Sequence, residues 1–116
     1  MDKFSLLMTV YKTETGNNLQ RALTSCWDSQ ELKPSEIILV RDGPLTKELD
    51  TIISKWKSKL NQKLILVDLK KNLGLGAALA KGLEHCNFEL VARMDTDDVS
   101  NYQRFKLQIK EFNLDP

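Results

Sequence analysis

Phe4 to Val10 reads FSLLMTV, and Glu36 to Val40 reads EIILV. Both are largely apolar runs, which are typical of strands that a parallel sheet buries on both faces. Leu64 to Leu69 (LILVDL) and Glu89 to Met94 (ELVARM) extend the series to four. Longer segments with apolar residues at three- and four-residue spacing separate these runs. The alternation predicts an α/β fold, a doubly wound and mainly parallel sheet with helices on both faces.

Capping residues mark where the intervening helices are expected to begin. Asn17 or Asn18 is expected to cap the first helix, and Thr46 begins the sequence T-K-E-L at the start of the second. The third helix is predicted from Ala77 to about His85. A last amphipathic helix is expected to carry the apolar residues Tyr102, Phe105, Leu107, Ile109 and Phe112.

Composition limits the class of protein. The chain has 116 residues, enough for one domain, and 41% of them are hydrophobic and 28% charged. The net charge of +1 leaves no basic excess for binding nucleic acid or an anionic membrane. Cys26 and Cys86 are too few for a disulfide framework and are expected to be buried thiols in a reducing compartment. Because no apolar run could cross a bilayer and no leader-like segment is present, the sequence predicts a soluble, cytosolic chain.

Ligands of doubly wound sheets bind beyond the carboxyl ends of the strands, near the point where the strand order reverses. Four loops of this sequence follow a predicted strand: Tyr11 to Gly16, Arg41 to Pro44, Lys70 to Gly76, and Asp95 to Asn101. Any chemistry is therefore expected among these loops.

The sequence Asp95-Thr96-Asp97-Asp98 places three carboxylates within four residues. Their mutual repulsion makes such a cluster costly, and a divalent cation relieves it. Carboxylate oxygens suit Mg²⁺ or Mn²⁺, which complete their coordination with water and substrate phosphates. Asp95 and Asp97 are two residues apart and would point the same way from an extended strand end. The alternative is a solvated turn that caps the following helix.

Three single polar or aromatic residues in or beside these loops have two interpretations each. Asp42 precedes Gly43 and could form an Asx-type turn or accept a hydrogen bond from a nucleobase. Tyr11 could stack on a planar base or cover the end of the sheet. Arg93 could pair with the acidic cluster or reach a phosphate. His85, the single histidine, has no partner motif and is expected to be structural.

The G-L-G sequence at 74–76 resembles part of a dinucleotide-binding fingerprint, with Asp95 about twenty residues later. Leu79 stands where that fingerprint needs a third small residue, and the fingerprint belongs on the first strand rather than the third. The start of the helix could nevertheless receive a phosphate, aided by Lys70 or Lys71. A nicotinamide-binding oxidoreductase domain and a Mg²⁺-binding signalling or interaction module are therefore kept as alternatives.

Four motifs occur in order along the chain: T-V-Y after the first strand, D-G after the second, N-L-G before the third helix, and D-T-D-D after the fourth strand. Together they resemble the amino-terminal, nucleotide-binding half of a family 2 glycosyltransferase with the GT-A fold. The runs V-R-D-G-P-L and L-V-A-R-M-D-T-D-D are especially similar to the bacterial capsule and exopolysaccharide branch, the amylovoran-type transferases. The resemblance covers nearly the whole chain.

The resemblance implies roles for the matched residues. Thr9 and Tyr11 would line the nucleobase pocket, and Asp42 would accept a hydrogen bond from the base, typically uracil. Asp95 would hold the ribose or help to position the metal, and Asp97 would bridge Mn²⁺ or Mg²⁺ to the diphosphate. The substrate-binding set would thus comprise Thr9, Tyr11, Asp42, Asn72, Gly74 and Asp95.

The resemblance also implies a reaction, the inverting transfer of a sugar from a nucleotide-diphosphate sugar to an acceptor glycan or lipid-linked glycan. Arg41 stands where many relatives carry an acidic residue. Family members continue with an acceptor-binding half that supplies an Asp or Glu as catalytic base. Residues 1–116 are therefore expected to form a single nucleotide-sugar-binding domain, truncated before that half and poorly active alone. Self-association through the exposed truncated face, and a cytoplasmic full-length protein peripheral to the inner membrane, are further expectations.

Overall fold

The structure is a computed structural model, and it describes residues 3–96. The four strands are β1 (Phe4–Val10), β2 (Glu36–Arg41), β3 (Leu64–Asp68) and β4 (Leu90–Arg93). The helices are α1 (Gly16–Cys26), α2 (Lys47–Leu60) and α3 (Leu75–Leu83), with a short 3₁₀ turn at Asn61–Lys63. The predicted alternation of strands and helices is confirmed. The helix expected at residues 102–112 lies outside the described residues.

All four strands of this sheet are parallel, in the spatial order β3-β2-β1-β4. Leu7 in the centre of β1 pairs with Ile38 of β2 on one side and with Arg93 of β4 on the other. The chain moves outward from β1 to β3 and then returns through α3 to add β4 at the opposite side of β1. The strand order therefore reverses between β1 and β4, so the loops after these two strands lie next to each other.

The sheet is covered on both faces, as the sequence predicted. One face carries the larger core, in which alternate residues of β1 such as Leu6 and Met8 pack with Leu23 of α1 and Ile53 of α2. The other face carries a smaller core of Leu7, Ile38, Val40, Val67 and Ala78, the last from α3. The two cores explain why the central strands β1 and β2 are apolar at nearly every position, since both are buried from above and below, whereas β3 and β4 are partly exposed.

The first helix begins earlier than the asparagine caps predicted. Thr15 is the N-cap of α1, because its backbone is extended and its hydroxyl accepts a hydrogen bond from the Asn18 amide at 3.1 Å. The expectation that Asn17 or Asn18 caps this helix is wrong, since both residues already lie within it. The prediction for α2 is confirmed, because Thr46 accepts from the backbone amide three residues later at 3.2 Å.

Helix α3 also begins earlier than predicted, at Leu75 rather than Ala77, and ends before His85. Gly74 precedes it with a φ of +94°, a conformation that glycine adopts without the strain a side chain would add. His85 is exposed, and its Nδ1 lies 2.9 Å from the carbonyl oxygen of Lys81, one turn earlier, which fits a local structural role.

The two cysteines are free, as expected, but only one of them is buried. Cys26 belongs to the larger core, whereas Cys86 is half-buried at the end of α3. The pKa of the Cys86 thiol is raised, mainly by its partial burial and also by the negative charge of the nearby Glu36 carboxylate. A hydrogen bond with Ser5 acts in the opposite direction without outweighing these two effects. The expectation of two buried thiols is therefore wrong for Cys86, because the loop around it stays partly open to solvent.

Candidate functional site

Asp42 joins the loop after β2 to the loop after β3. It is 4% exposed, and its backbone amide donates to the Val10 carbonyl at 2.9 Å. Its two carboxylate oxygens accept from different donors: Oδ1 from the Leu73 amide at 2.8 Å and Oδ2 from Asn72 Nδ2 at 2.9 Å. The carboxylate thus holds the chain some thirty residues further on, a long-range contact that neither interpretation of Asp42 from the sequence included.

Gly43 allows the same two loops to approach each other closely. Its φ is +89°, and a Cβ placed on it would lie 2.7 Å from the Asn72 amide nitrogen. Only glycine meets both conditions, because any side chain would strain the backbone and collide with the neighbouring main chain. The D-G and N-L-G motifs, which are far apart in the sequence, therefore form a single contact.

A cleft of about 320 Å³ opens beside this contact, beyond the carboxyl ends of β1, β2 and β3. Tyr11 supplies an aromatic ring, and the Lys12 ammonium lies 5.8 Å from its centroid. The cleft is lined by Tyr11, Lys12, Gly43, Pro44, Lys70, Lys71 and Asn72. A cleft lined by one aromatic ring and three lysines suits a ligand that combines a planar ring with negative charge.

Thr9 and Gly74 lie near this cleft without the contacts that would define a role. Thr9 is half-buried near the carboxyl end of β1, where it pairs with Val40. Gly74 lies in the loop that Asp42 holds, and a Cβ on it would meet no atom within 4 Å. The positive φ, rather than crowding, is the reason for glycine at this position.

Arg41 is held by two carboxylates at the ends of neighbouring elements. Its Nη2 donates to Asp68 Oδ2 of β3 at 3.0 Å, and its Nη1 donates to Asp50 Oδ1 of α2 at 3.3 Å. The hydrogen bonds that Arg41 donates to Asp68 outweigh burial, and together with the charges of both acids they raise the pKa of the guanidinium. Arg41 therefore fixes the end of β2 against β3, one residue before Asp42.

A second connection lies where the strand order reverses. The Thr96 hydroxyl donates to Glu14 Oε2 at 2.7 Å, and Thr96 is 7% exposed. Glu14 Oε1 accepts from the Thr15 amide at 2.8 Å and from Asn18 Nδ2 at 3.0 Å. Burial raises the pKa of Glu14, but the hydrogen bonds from Thr96, Thr15 and Asn18 outweigh it and leave the pKa below its usual value. Sequence reasoning missed Glu14, whose only signal was its position in a loop after a strand.

Asp95 is placed next to this connection, at the carboxyl end of β4. Its carboxylate oxygen lies 3.6 Å from Arg93 Nη2, and both side chains are about half exposed, 54% and 51%. Of the two alternatives for Arg93, pairing with the acidic cluster is thus observed. An exposed ion pair of this kind contributes little stability. Asp97 and Asp98 lie outside the described residues.

Within the described residues, the acidic cluster contributes one exposed carboxylate, that of Asp95. Within residues 3–96 no group of three His, Cys, Asp or Glu side chains is placed to hold a metal ion. Mg²⁺ sites, however, usually combine one or two carboxylates with water and substrate phosphates. Asp95 offers one exposed carboxylate, and the roles of Asp95 and Asp97 as metal ligands stay sequence-based predictions.

Comparison with known proteins identifies the family. The model for glycosyl transferase family 2 matches residues 5–116. The chain belongs to this family. The resemblance drawn from the four motifs is thereby confirmed, and family membership favours it over a nicotinamide-binding domain or a signalling module.

Among curated members of the family, the chain is 43% identical over 113 residues to the amylovoran biosynthesis glycosyltransferase AmsE of Erwinia amylovora. It is 42% identical over 104 residues to the Escherichia coli UDP-Gal:alpha-D-GlcNAc-diphosphoundecaprenol beta-1,3-galactosyltransferase. These alignments cover 97% and 90% of the chain but 41% and 37% of the relatives. The chain thus spans about two fifths of their length.

Solved structures agree with this assignment. Staphylococcus aureus TarS 1-349, in complex with UDP-GlcNAc, matches with a TM-score of 0.80 at 26% identity, over 97% of this chain and 32% of that one. The mannosyltransferase PcManGT from Pyrobaculum calidifontis, in complex with GDP-Man and Mn²⁺, matches with a TM-score of 0.80 at 19% identity, over 98% and 33%. The sheet and its helices therefore have the fold of known glycosyltransferases. No helix within residues 3–96 is long and apolar enough to cross a membrane.

Proposed function

We propose that this family 2 chain binds the nucleotide-sugar donor of an inverting, metal-dependent glycosyltransferase of surface polysaccharide synthesis, and that the donor is a UDP-linked sugar. Residues 1–116 would form one nucleotide-sugar-binding domain. The names of the relatives support the choice of donor and pathway: one acts in amylovoran biosynthesis, one uses UDP-Gal, and TarS was solved with UDP-GlcNAc.

The cleft beside the Asp42–Asn72 contact is the observation that carries the proposal. Its tyrosine ring offers a stacking surface for a nucleobase, and its lysines offer positive charge for a diphosphate. Each Asp42 carboxylate oxygen has a second lone pair besides the one used by the neighbouring loop, and so could still accept from a base N–H. Base, ribose and diphosphate would then extend from Tyr11 along the sheet edge towards Asp95.

Asp95 and Asp97 would hold the divalent cation, Mn²⁺ or Mg²⁺, against the diphosphate. When bound, such a cation offsets the charge that develops on the leaving diphosphate. The exposed position of Asp95 supports this assignment, because a carboxylate that is already buried in an ion pair would give it up only at a large cost.

The acceptor and the catalytic base are assigned to the part of the relatives that this chain does not span. The Escherichia coli relative is named for a lipid-linked acceptor, a GlcNAc-diphosphoundecaprenol, and we propose an acceptor of the same class, a glycan or lipid-linked glycan. Inversion requires a base that deprotonates the acceptor hydroxyl. We expect the chain alone to bind its donor while transferring sugar poorly.

Isothermal titration calorimetry with UDP, in MnCl₂ and in EDTA, tests the proposal. We expect saturable UDP binding that is tighter with Mn²⁺, and no saturable binding of NAD⁺. Asp97→Ala should abolish the Mn²⁺ dependence while leaving UDP binding in EDTA unchanged. Asp28→Ala is the matched control, because Asp28 pairs with Lys59 on the far side of the molecule. A folded chain that binds UDP equally with and without Mn²⁺ would refute the metal assignment, and one that binds no UDP would refute the donor-binding role.

A further inference from the structure

The Glu14–Thr96 hydrogen bond connects the two parts of the proposed donor site. Glu14 lies in the loop that begins at Tyr11, on the nucleobase side. Thr96 lies between Asp95 and Asp97, on the metal side. The contact spans 82 residues of sequence, and neither side chain has a role in the function proposed above.

The local geometry orients Glu14 towards Thr96. The two donors on Oε1 are the amide of Thr15, the N-cap of α1, and Asn18 Nδ2 in the first turn of that helix. They leave Oε2 for the threonine hydroxyl. Thr96 is nearly fully buried, whereas the neighbouring Asp95 is exposed. A buried hydroxyl bonded to a carboxylate restricts the backbone on either side of it, because breaking the bond would leave a desolvated polar group.

The main chain around Thr96 is also attached to β1. The Met94 amide donates to the Leu7 carbonyl at 3.2 Å, which continues the pairing of β4 with β1 by one residue. Two residues later, the Thr96 side chain contacts the loop after β1 through its hydrogen bond to Glu14. Asp95 lies between these two attachments, so its backbone is held on both sides.

We propose that Glu14 is a positioning residue, which acts through Thr96 to hold Asp95 in place relative to the nucleobase loop. The inference rests on the proposed function, because the position of Asp95 matters only if its carboxylate serves the diphosphate of a nucleotide held at Tyr11. Loss of the contact should therefore weaken the metal-dependent part of nucleotide binding and spare the metal-independent part.

Calorimetry with UDP on the 116-residue chain and its variants separates these parts. Thr96→Val removes the hydroxyl and should weaken UDP binding in MnCl₂ about tenfold, the value of one charge-assisted hydrogen bond. In EDTA its UDP affinity should stay within about twofold of the unmodified chain. Thr96→Ser retains the hydroxyl and should bind like the unmodified chain. Thr51→Val is the matched control, since this exposed threonine donates only to a carbonyl within α2.

The second variant is Glu14→Asp, which keeps the charge but is one methylene too short to reach Thr96. It should reproduce the loss seen with Thr96→Val. The double variant should be no weaker than either single one, because both remove the same interaction. If Thr96→Val unfolds, which thermal melting would reveal, Glu14→Asp carries the test.

The outcomes distinguish this inference from the function on which it rests. If the unmodified chain shows no Mn²⁺-dependent UDP binding, the proposed function is wrong and the positioning role is wrong with it. If the unmodified chain binds as expected but Thr96→Val and Glu14→Asp keep the full Mn²⁺ dependence, only the positioning role is overturned. Losses that add in the double variant would overturn it as well.

Discussion

Replacement of Asp42 by alanine is expected to release the loop after β3. The change removes an acceptor from two hydrogen bonds, those of the Leu73 amide and Asn72 Nδ2. Hydrogen bonds to a charged group contribute about 1.5–3 kcal/mol each when buried. Because this loop is partly exposed, water would replace part of what is lost. We therefore expect a loss of about 2–3 kcal/mol in the free energy of unfolding, and a fall in Tm of about 10 °C.

Urea denaturation followed by circular dichroism would measure this loss, with Asp42→Asn as the matched control. Asparagine has the same shape and keeps one acceptor oxygen for the Leu73 amide. Its new amide group can donate to Asn72 if that side chain turns its own oxygen inward. We expect Asp42→Asn to cost about 1 kcal/mol or less. The reasoning is refuted if Asp42→Ala unfolds at the same urea concentration as the unmodified chain, or if the two variants are equally destabilised.

Two further predictions concern the packing of α3 and the acid stability of the sheet. Gly82→Ala would place a Cβ against the Leu7 side chain and 2.7 Å from Val40 Cγ2, so we expect overpacking to cost about 1–3 kcal/mol in urea denaturation. Gly76→Ala, in the same helix with no atom within 4 Å of its Cβ, should instead stabilise by up to about 1 kcal/mol, and the opposite ranking would contradict the packing described for this helix. Burial raises the pKa of Glu36, but hydrogen bonds from an asparagine and a serine outweigh it and hold the pKa below its usual 4.5. The stability from this depressed pKa is present above pH 4.5 and is lost as the pH falls through the folded-state pKa, so the deficit of Glu36→Gln relative to the unmodified chain should shrink between about pH 6 and pH 3. A deficit that stays constant over this range would argue against the pKa difference.

The strands, and the covering of the sheet by helices on both faces, could be predicted from the sequence because they depend on local patterns. Runs such as EIILV at 36–40 have no polar side for solvent, so only a strand covered on both faces accommodates them. The N-cap of α2 could also be predicted, since Thr46 is the one capping residue at that point of the sequence. At α1 several capping residues lie within four positions, and the choice of Thr15 depends on its extended backbone, which the sequence does not display.

The contacts that build the candidate site could not be predicted in this way. Asp42 and Asn72 were each recognised as motif residues, but their hydrogen bond joins positions 30 apart. Glu14 was not recognised at all, because its partner Thr96 follows 82 residues later. Such pairings arise only when parallel strands bring their loops together at one edge, a consequence of strand order that no local pattern encodes.

The hydrogen bonds between the two loops beside the cleft have a consequence for how a ligand would enter it. The hydrogen bonds of Asp42 and the close approach at Gly43 already restrict the loops after β2 and β3. These loops therefore lose few conformations when a ligand binds. The entropic penalty of ordering is then small, and association resembles docking into a preformed groove rather than folding around the ligand. Selectivity for one nucleobase would accordingly reflect the rigid shape of this groove, with little capacity to adapt to a base of different size.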